Sequence, residues 1–150
     1  DKTANARVNL WKHSLRMFVE HPILGVGPGN FSATRASQNL SETVAHSIYF
    51  EVLAEYGLAG TLSVALTVFA FFLLNAQTRR QLLARETEAQ RRFEYCLSYG
   101  LDLAMVGFLM SGAFASVLLY PHLWILAAFA VGLNGASRQP AAPVDASQRA

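Results

Sequence analysis

The chain has 150 residues, of which 53% are hydrophobic and only 15% charged, with a formal net charge of +2. That charge content lies below the roughly 25% usual for soluble domains and points to an integral membrane protein or a piece of one. The small net charge, with no basic-aromatic stripe, excludes a nucleic-acid binder, and the single cysteine, Cys96, excludes an intrachain disulfide or a cysteine zinc cluster.

The N-terminus reads DKTANARVN, with no initiator Met, no basic n-region and no early apolar segment. No signal peptide is visible, and the chain reads as the C-terminal part of something longer. Residues 4–20 then have helical period. Val8, Trp11, Leu15 and Phe18 make an apolar face, and Asn9, Lys12, Arg16 and Glu20 the opposite one. Asn5 or Thr3 is placed to cap this helix, and Pro22 ends it at His21 by forcing the preceding residue out of the helical region. Packing on other helices and lying in a membrane interface with Trp11 at the headgroups both suit such a helix.

HPILGVGPGNF follows, with glycines at 25, 27 and 29. No Lys-Ser/Thr follows the last glycine and no strand precedes the first, so this is no phosphate cradle; it is a turn-rich connection whose glycines supply positive φ. Residues 32–43 are small and polar and read as a loop carrying Arg35 and Glu42. Ser41 or Thr43 is positioned to cap the next helix, VAHSIYFEVLAEYGLAG over 44–60, with Gly57 a natural break. In that helix His46, Tyr49, Phe50 and Leu53 form the buried face and Ser47, Glu51 and Glu55 the wetter one.

Two uncharged runs come next, of 23 residues from Tyr56 to Thr78 and of 35 from Leu103 to Ser137. About 20 apolar residues cross a bilayer, so the first run holds one span, about 58–74. The second, with the residues just before it, holds two, about 97–119 and 122–133, divided at Tyr120-Pro121. Asp102 lies inside the second span, where an ionisable residue is functional by default and wants a partner. The last residues, from Arg138, form a Pro/Ala-rich tail expected to be disordered. The architecture expected is all-α. Two external helices joined by a Gly/Pro-rich connection (1–56) precede three transmembrane helices (57–134) with a cytoplasmic helical loop at 76–95, and a disordered cytoplasmic tail (135–150) follows.

Lys and Arg accumulate on the cytoplasmic side of short loops. Residues 79–92 carry five arginines and the hairpin at Tyr120 none. The first is therefore inside, and residues 1–56 face the other side, which in a Gram-negative cell is the periplasm.

Taken together, Arg7 to Trp11, HPILGVGPGNF and AHSIYFEVLAEYGLAG leading into a span resemble the C-terminal portion of the O-antigen ligase/polymerase family. This group of polytopic membrane enzymes includes lipopolysaccharide O-antigen ligases, polysaccharide polymerases and protein O-oligosaccharyltransferases. The resemblance covers residues 7 to about 74, and the many spans that family members carry before this point are not in the chain. It implies a multi-pass protein of the bacterial inner membrane, surrounded by lipid, that performs metal-independent glycosyl transfer without a cofactor. The donor it implies is a glycan on undecaprenyl diphosphate, and the acceptor a glycan, lipid A-core or protein. By motif, Arg7 becomes the ligand of the donor diphosphate and His46 the catalytic residue near the acceptor, with Arg16, Arg35, Glu42 and Asp102 as possible supports. The residue types suit the chemistry. A planar guanidinium holds developing diphosphate charge through paired hydrogen bonds, and a neutral imidazole accepts the acceptor's proton. His13, His21 and His122 show no metal-ligand spacing. Three spans alone do not enclose a lipid-linked glycan, so residues 1–150 by themselves are expected to be inactive. A second reading is a non-catalytic membrane module that binds lipid-linked glycan or scaffolds a polysaccharide export complex.

Overall fold

A computed structural model describes residues 2–38, 40, 45–83, 88–115 and 121–138. All regular structure among them is helical: α1 (Lys2–Glu20), α2 (Phe31–Ser37), α3 (Ile48–Leu83), α4 (Glu88–Gly112) and α5 (His122–Arg138). α3 is two helices joined at Gly57, whose φ of 61° and ψ of −156° are not helical. The break expected at Gly57 is therefore present, and it divides the molecule into an N-terminal helix pair and a bundle.

In the bundle, α4 and α5 pack on the second half of α3 through Phe71, Leu101, Met105, Leu123, Ala130 and Leu133. Polar bonds tie one end. Asn134 donates to the Thr78 hydroxyl at 2.9 Å, Ser137 donates to Gln81 at 2.8 Å, and Arg79 meets Asp102 at 2.6 Å. The two α5 pairs make α5 parallel to α3, and the short interval from Leu83 to Glu88 makes α4 antiparallel to it. Gly112 and His122 accordingly lie toward one end of the bundle and the arginines at 79, 80 and 92 toward the other.

Among the described residues, two helices are long and apolar enough to cross a membrane, Ile48–Leu83 and Arg92–Gly112. α5 has 17 residues, about 25 Å at 1.5 Å per residue, which falls short of the ~30 Å hydrocarbon core. Two candidate spans thus stand where three are expected. The second also stops early. Helix α4 ends at Gly112, where Ala113 and Phe114 turn back by bonding the carbonyls of Met110 and Ser111. Tyr120 and residues 139–150 lie outside the described residues.

In the N-terminal pair, α1 runs parallel to the first half of α3. Trp11 stacks on Phe50 with ring centroids 5.0 Å apart, and the turn after α1 is bonded to Leu58 and Ala59. The buried row of α1 is Leu10, Ser14 and Met17; Val8 and Leu15, expected inside, are 42% and 45% exposed. Serine suits that row because it is small and its hydroxyl is satisfied internally, on the Leu10 carbonyl at 3.2 Å.

Candidate functional site

The connection after α1 threads the break in α3 and satisfies its loose ends. A helix terminus leaves carbonyls or N–H groups without intrahelical partners. Here Val26 and Gly27 donate to the carbonyls of Ala54 and Glu55, both at 2.9 Å. On the other side of the break, Leu58 and Ala59 donate to the carbonyls of Pro22 and Ile23 at 2.8 and 3.1 Å. Four backbone bonds between segments some thirty residues apart form a latch.

The latch demands glycine. Gly25 and Gly57 both have positive φ, 69° and 61°. A Cβ on Gly57 would sit 2.6 Å from the Gly25 nitrogen and the Ile23 oxygen, and one on Gly25 would collide with the backbone of Glu55. Gly27 and Gly29, at φ of 96° and 73°, turn the chain onward into α2, as the turn reading of GVGPG expects.

Glu55 completes the assembly. It is only 3% exposed, and its carboxylate accepts the N–H of Gly29 at 2.9 Å and that of Phe31 at 3.1 Å. The acid thereby caps α2 at its first turn, where a negative charge is favoured by the helix dipole. Ser47 and Glu51 are buried as well, at 1% and 8%. The face of α3 expected to be wet is thus the buried one, while Tyr49 is 49% exposed and donates its hydroxyl to the Leu109 carbonyl at 2.7 Å. The cause is that a distant loop supplies the N–H groups that make burial of Glu55 favourable. Glu55 went unrecognised as a site residue because no local pattern encodes those donors.

His46 is exposed and precedes α3, which starts at Ile48, so it is not in the helix's first turn. Its φ of 51° is the only positive value at a non-glycine among the described residues. That conformation typically costs on the order of 1 kcal/mol and persists where the surroundings impose it. Its neighbours Ala45 and Ser47 are buried, which fixes the chain on both sides and turns the imidazole outward. Ser41, Glu42 and Thr43 lie outside the described residues; with Ser47 accepting the Glu51 N–H at 3.0 Å, the helix begins after them.

Arg7 is exposed on α1. It lies four residues before Trp11, as His46 lies four before Phe50, so one helical turn beyond the Trp11–Phe50 stack leads to Arg7 on one helix and to His46 at the head of the other. The fold brings these two to the same end of the pair from 39 positions apart. Arg16 is exposed about two and a half turns further along α1. Arg35 lies on α2, a helix where a loop was expected, and is 6% exposed. It and Arg16 face His13, whose pKa is lowered from the ordinary 6.5 by burial first and then by these two charges.

Asp102 does not join this group. Its partners lie on α3 of the same chain: Arg79 donates to it at 2.6 Å and Asn75 at 2.8 Å. Arg79 also reaches the Ser98 hydroxyl at 3.0 Å and lies over the Tyr99 ring, 4.5 Å from its centroid. Arg79 is 22 residues beyond Gly57, about 33 Å along the helix axis, so this cluster is at the opposite end of the bundle from the latch. No group of three or more His, Cys, Asp or Glu that could hold a metal gathers among the described residues.

The arrangement offers an outward imidazole and an outward guanidinium on a scaffold held by main-chain bonds. The sequence model of the family described as O-antigen ligase matches residues 1–65, a stretch that takes in α1, the latch and the start of the bundle. No curated protein and no solved structure matches the chain. Over residues 1–65 the chain is thus similar to the O-antigen ligase family.

Proposed function

We propose that this chain is part of an inner-membrane glycosyltransferase that moves a glycan from undecaprenyl diphosphate to an acceptor on the periplasmic side. The observation that carries the reading is the shared position of Arg7 and His46 at one end of the α1–α3 pair, within the stretch the family model matches. In the reaction, the acceptor hydroxyl oxygen bonds to the anomeric carbon while the bond from that carbon to the diphosphate oxygen breaks. The hydroxyl proton passes to His46, and the electron pair leaves with the diphosphate, whose charge Arg7 holds through its two-pronged donors. Residues 1–56 work outside the membrane in this topology, where no ATP is needed because the lipid diphosphate is already activated. Arg16 is an accessory cation for the diphosphate.

The test is transfer activity of the full-length protein in a deletion strain, followed by glycan transfer in isolated membranes. His46→Ala should lower turnover by ~10²–10⁴ and leave donor affinity nearly unchanged. Arg7→Ala should weaken donor binding and turnover together, and Arg7→Lys should rescue only partly because an ammonium lacks the planar fork. If both alanine variants complement as well as wild type, the chain is a non-catalytic module instead.

A further inference from the structure

Ile23 and Leu24 are 70% and 73% exposed, two large apolar side chains at the tip of a turn. Their position is fixed by the latch, since the Ile23 carbonyl holds the Ala59 N–H at 3.1 Å and the Pro22 carbonyl holds that of Leu58 at 2.8 Å. The tip therefore sits level with the first turn of the second half of α3. The uncharged run of that helix ends at Arg79, the first charged residue after Glu55. A hydrocarbon core takes about 20 helical residues, and counting that many back from Arg79 arrives at Ala59, the residue bonded to Ile23. With α3 crossing the bilayer, that count sets the exposed tip level with the outer boundary.

The apolar surface also continues away from the tip. Gly25 donates to the His21 carbonyl at 3.0 Å, adding one more helical turn after α1. Leu15, Val19 and Ile23 then follow at intervals of four, exposed by 45%, 75% and 70%, with Lys12 and Arg16 exposed beside them. An apolar row with flanking cations is the pattern of a surface that lies in the headgroup–acyl boundary.

We infer that the Ile23–Leu24 tip is a membrane anchor seated in the outer boundary of the bilayer, and that it fixes the depth of the latch relative to the lipid. The occupant of this apolar surface is lipid, because the tip is bonded to the end of a span whose own Leu58, Leu62 and Leu66 are exposed by 51%, 53% and 65%. The inference rests on α3 crossing the bilayer and is independent of the transfer chemistry.

A fluorophore sensitive to quenching by spin-labelled lipid tests it, placed by Leu24→Cys in a Cys96→Ser background of the full-length protein. The protein is reconstituted in phosphatidylethanolamine–phosphatidylglycerol vesicles, and the same label is placed by Ile23→Cys, Phe69→Cys and Gln38→Cys in turn. Labels at 23 and 24 should lose most of their emission to lipids carrying the spin label near the headgroup and less to those carrying it near the chain end. The label at 69 should show the reverse order, and the one at 38 should be unaffected. Quenching at 69 with none at 23 and 24 would overturn the anchor while leaving the span intact. No quenching at any of the four would overturn the anchor together with the reading of α3 as a span.

Discussion

The latch and the bundle solve the same problem, holding helices together, with different materials. In the bundle, α3, α4 and α5 meet through an apolar core and side-chain bonds at one end. In the latch, the decisive contacts are main chain to main chain, and glycine is needed because the two backbones approach too closely for a Cβ. Apolar packing accepts many sequences of similar volume, whereas a backbone contact at positive φ accepts almost one. The family model matches through residue 65, six residues past the last latch bond at Ala59, and leaves the rest of the bundle unmatched.

The same substitution in the two regions should break this symmetry most sharply. Gly57→Ala forces a Cβ into the Gly25 and Ile23 backbone at a positive φ and should cost ~3 kcal/mol or more, enough to abolish the latch. Gly100→Ala on α4 meets nothing within 4 Å and should stabilise by about 0.5–1 kcal/mol through helix propensity. Denaturation in mixed detergent micelles measures both.

Removing the acid from the latch comes next. Glu55→Ala leaves the Gly29 and Phe31 N–H groups without their acceptor and should destabilise by about 2–4 kcal/mol. Asp102→Ala in the bundle leaves Arg79 without its ion partner but with Ser98 and the Tyr99 ring still beside it. The expected loss is smaller, about 1–2 kcal/mol, and transfer activity should persist because the cluster is remote from His46. An Asp102→Ala enzyme that folds and is inactive would return Asp102 to the site.

The smallest effect is on pH. The His13 pKa is lowered in the folded protein, so the unfolded chain binds the proton more readily. Its stabilising contribution is therefore complete above the unfolded value of 6.5 and declines as pH falls below it. His13→Gln should flatten the stability of the N-terminal pair across that window, while the bundle should show no His13-linked change.

Much of the latch could be read from the residues. Pro22 stops α1, GVGPG supplies the turns, and Gly57 breaks α3, because each acts through its own φ. Arg7 and His46 are singled out only by the resemblance. What brings them together is the Trp11–Phe50 stack and a parallel helix arrangement that no local period encodes. The buried side of α3 was misread for a related reason. Helical periodicity assigns Glu55 to water, and it is buried because a loop 24 to 26 residues away offers it two N–H groups. In the bundle, the uncharged runs revealed apolar helices but not where they end, since the stop after Gly112 is a turn of Ala, Phe and Ala with no proline or charge to announce it.

The central claim is that the latch holds Arg7 and His46 at the same end of a parallel helix pair. Distances between spin labels in the full-length protein, in a Cys96→Ser background, test it directly. One sample carries Arg7→Cys with His46→Cys, and the other Glu20→Cys with His46→Cys. Glu20 lies 13 residues further along α1, about 20 Å, so the 7–46 distance should be clearly the shorter. Equal distances, or a shorter 20–46 distance, would contradict the parallel arrangement and with it the site.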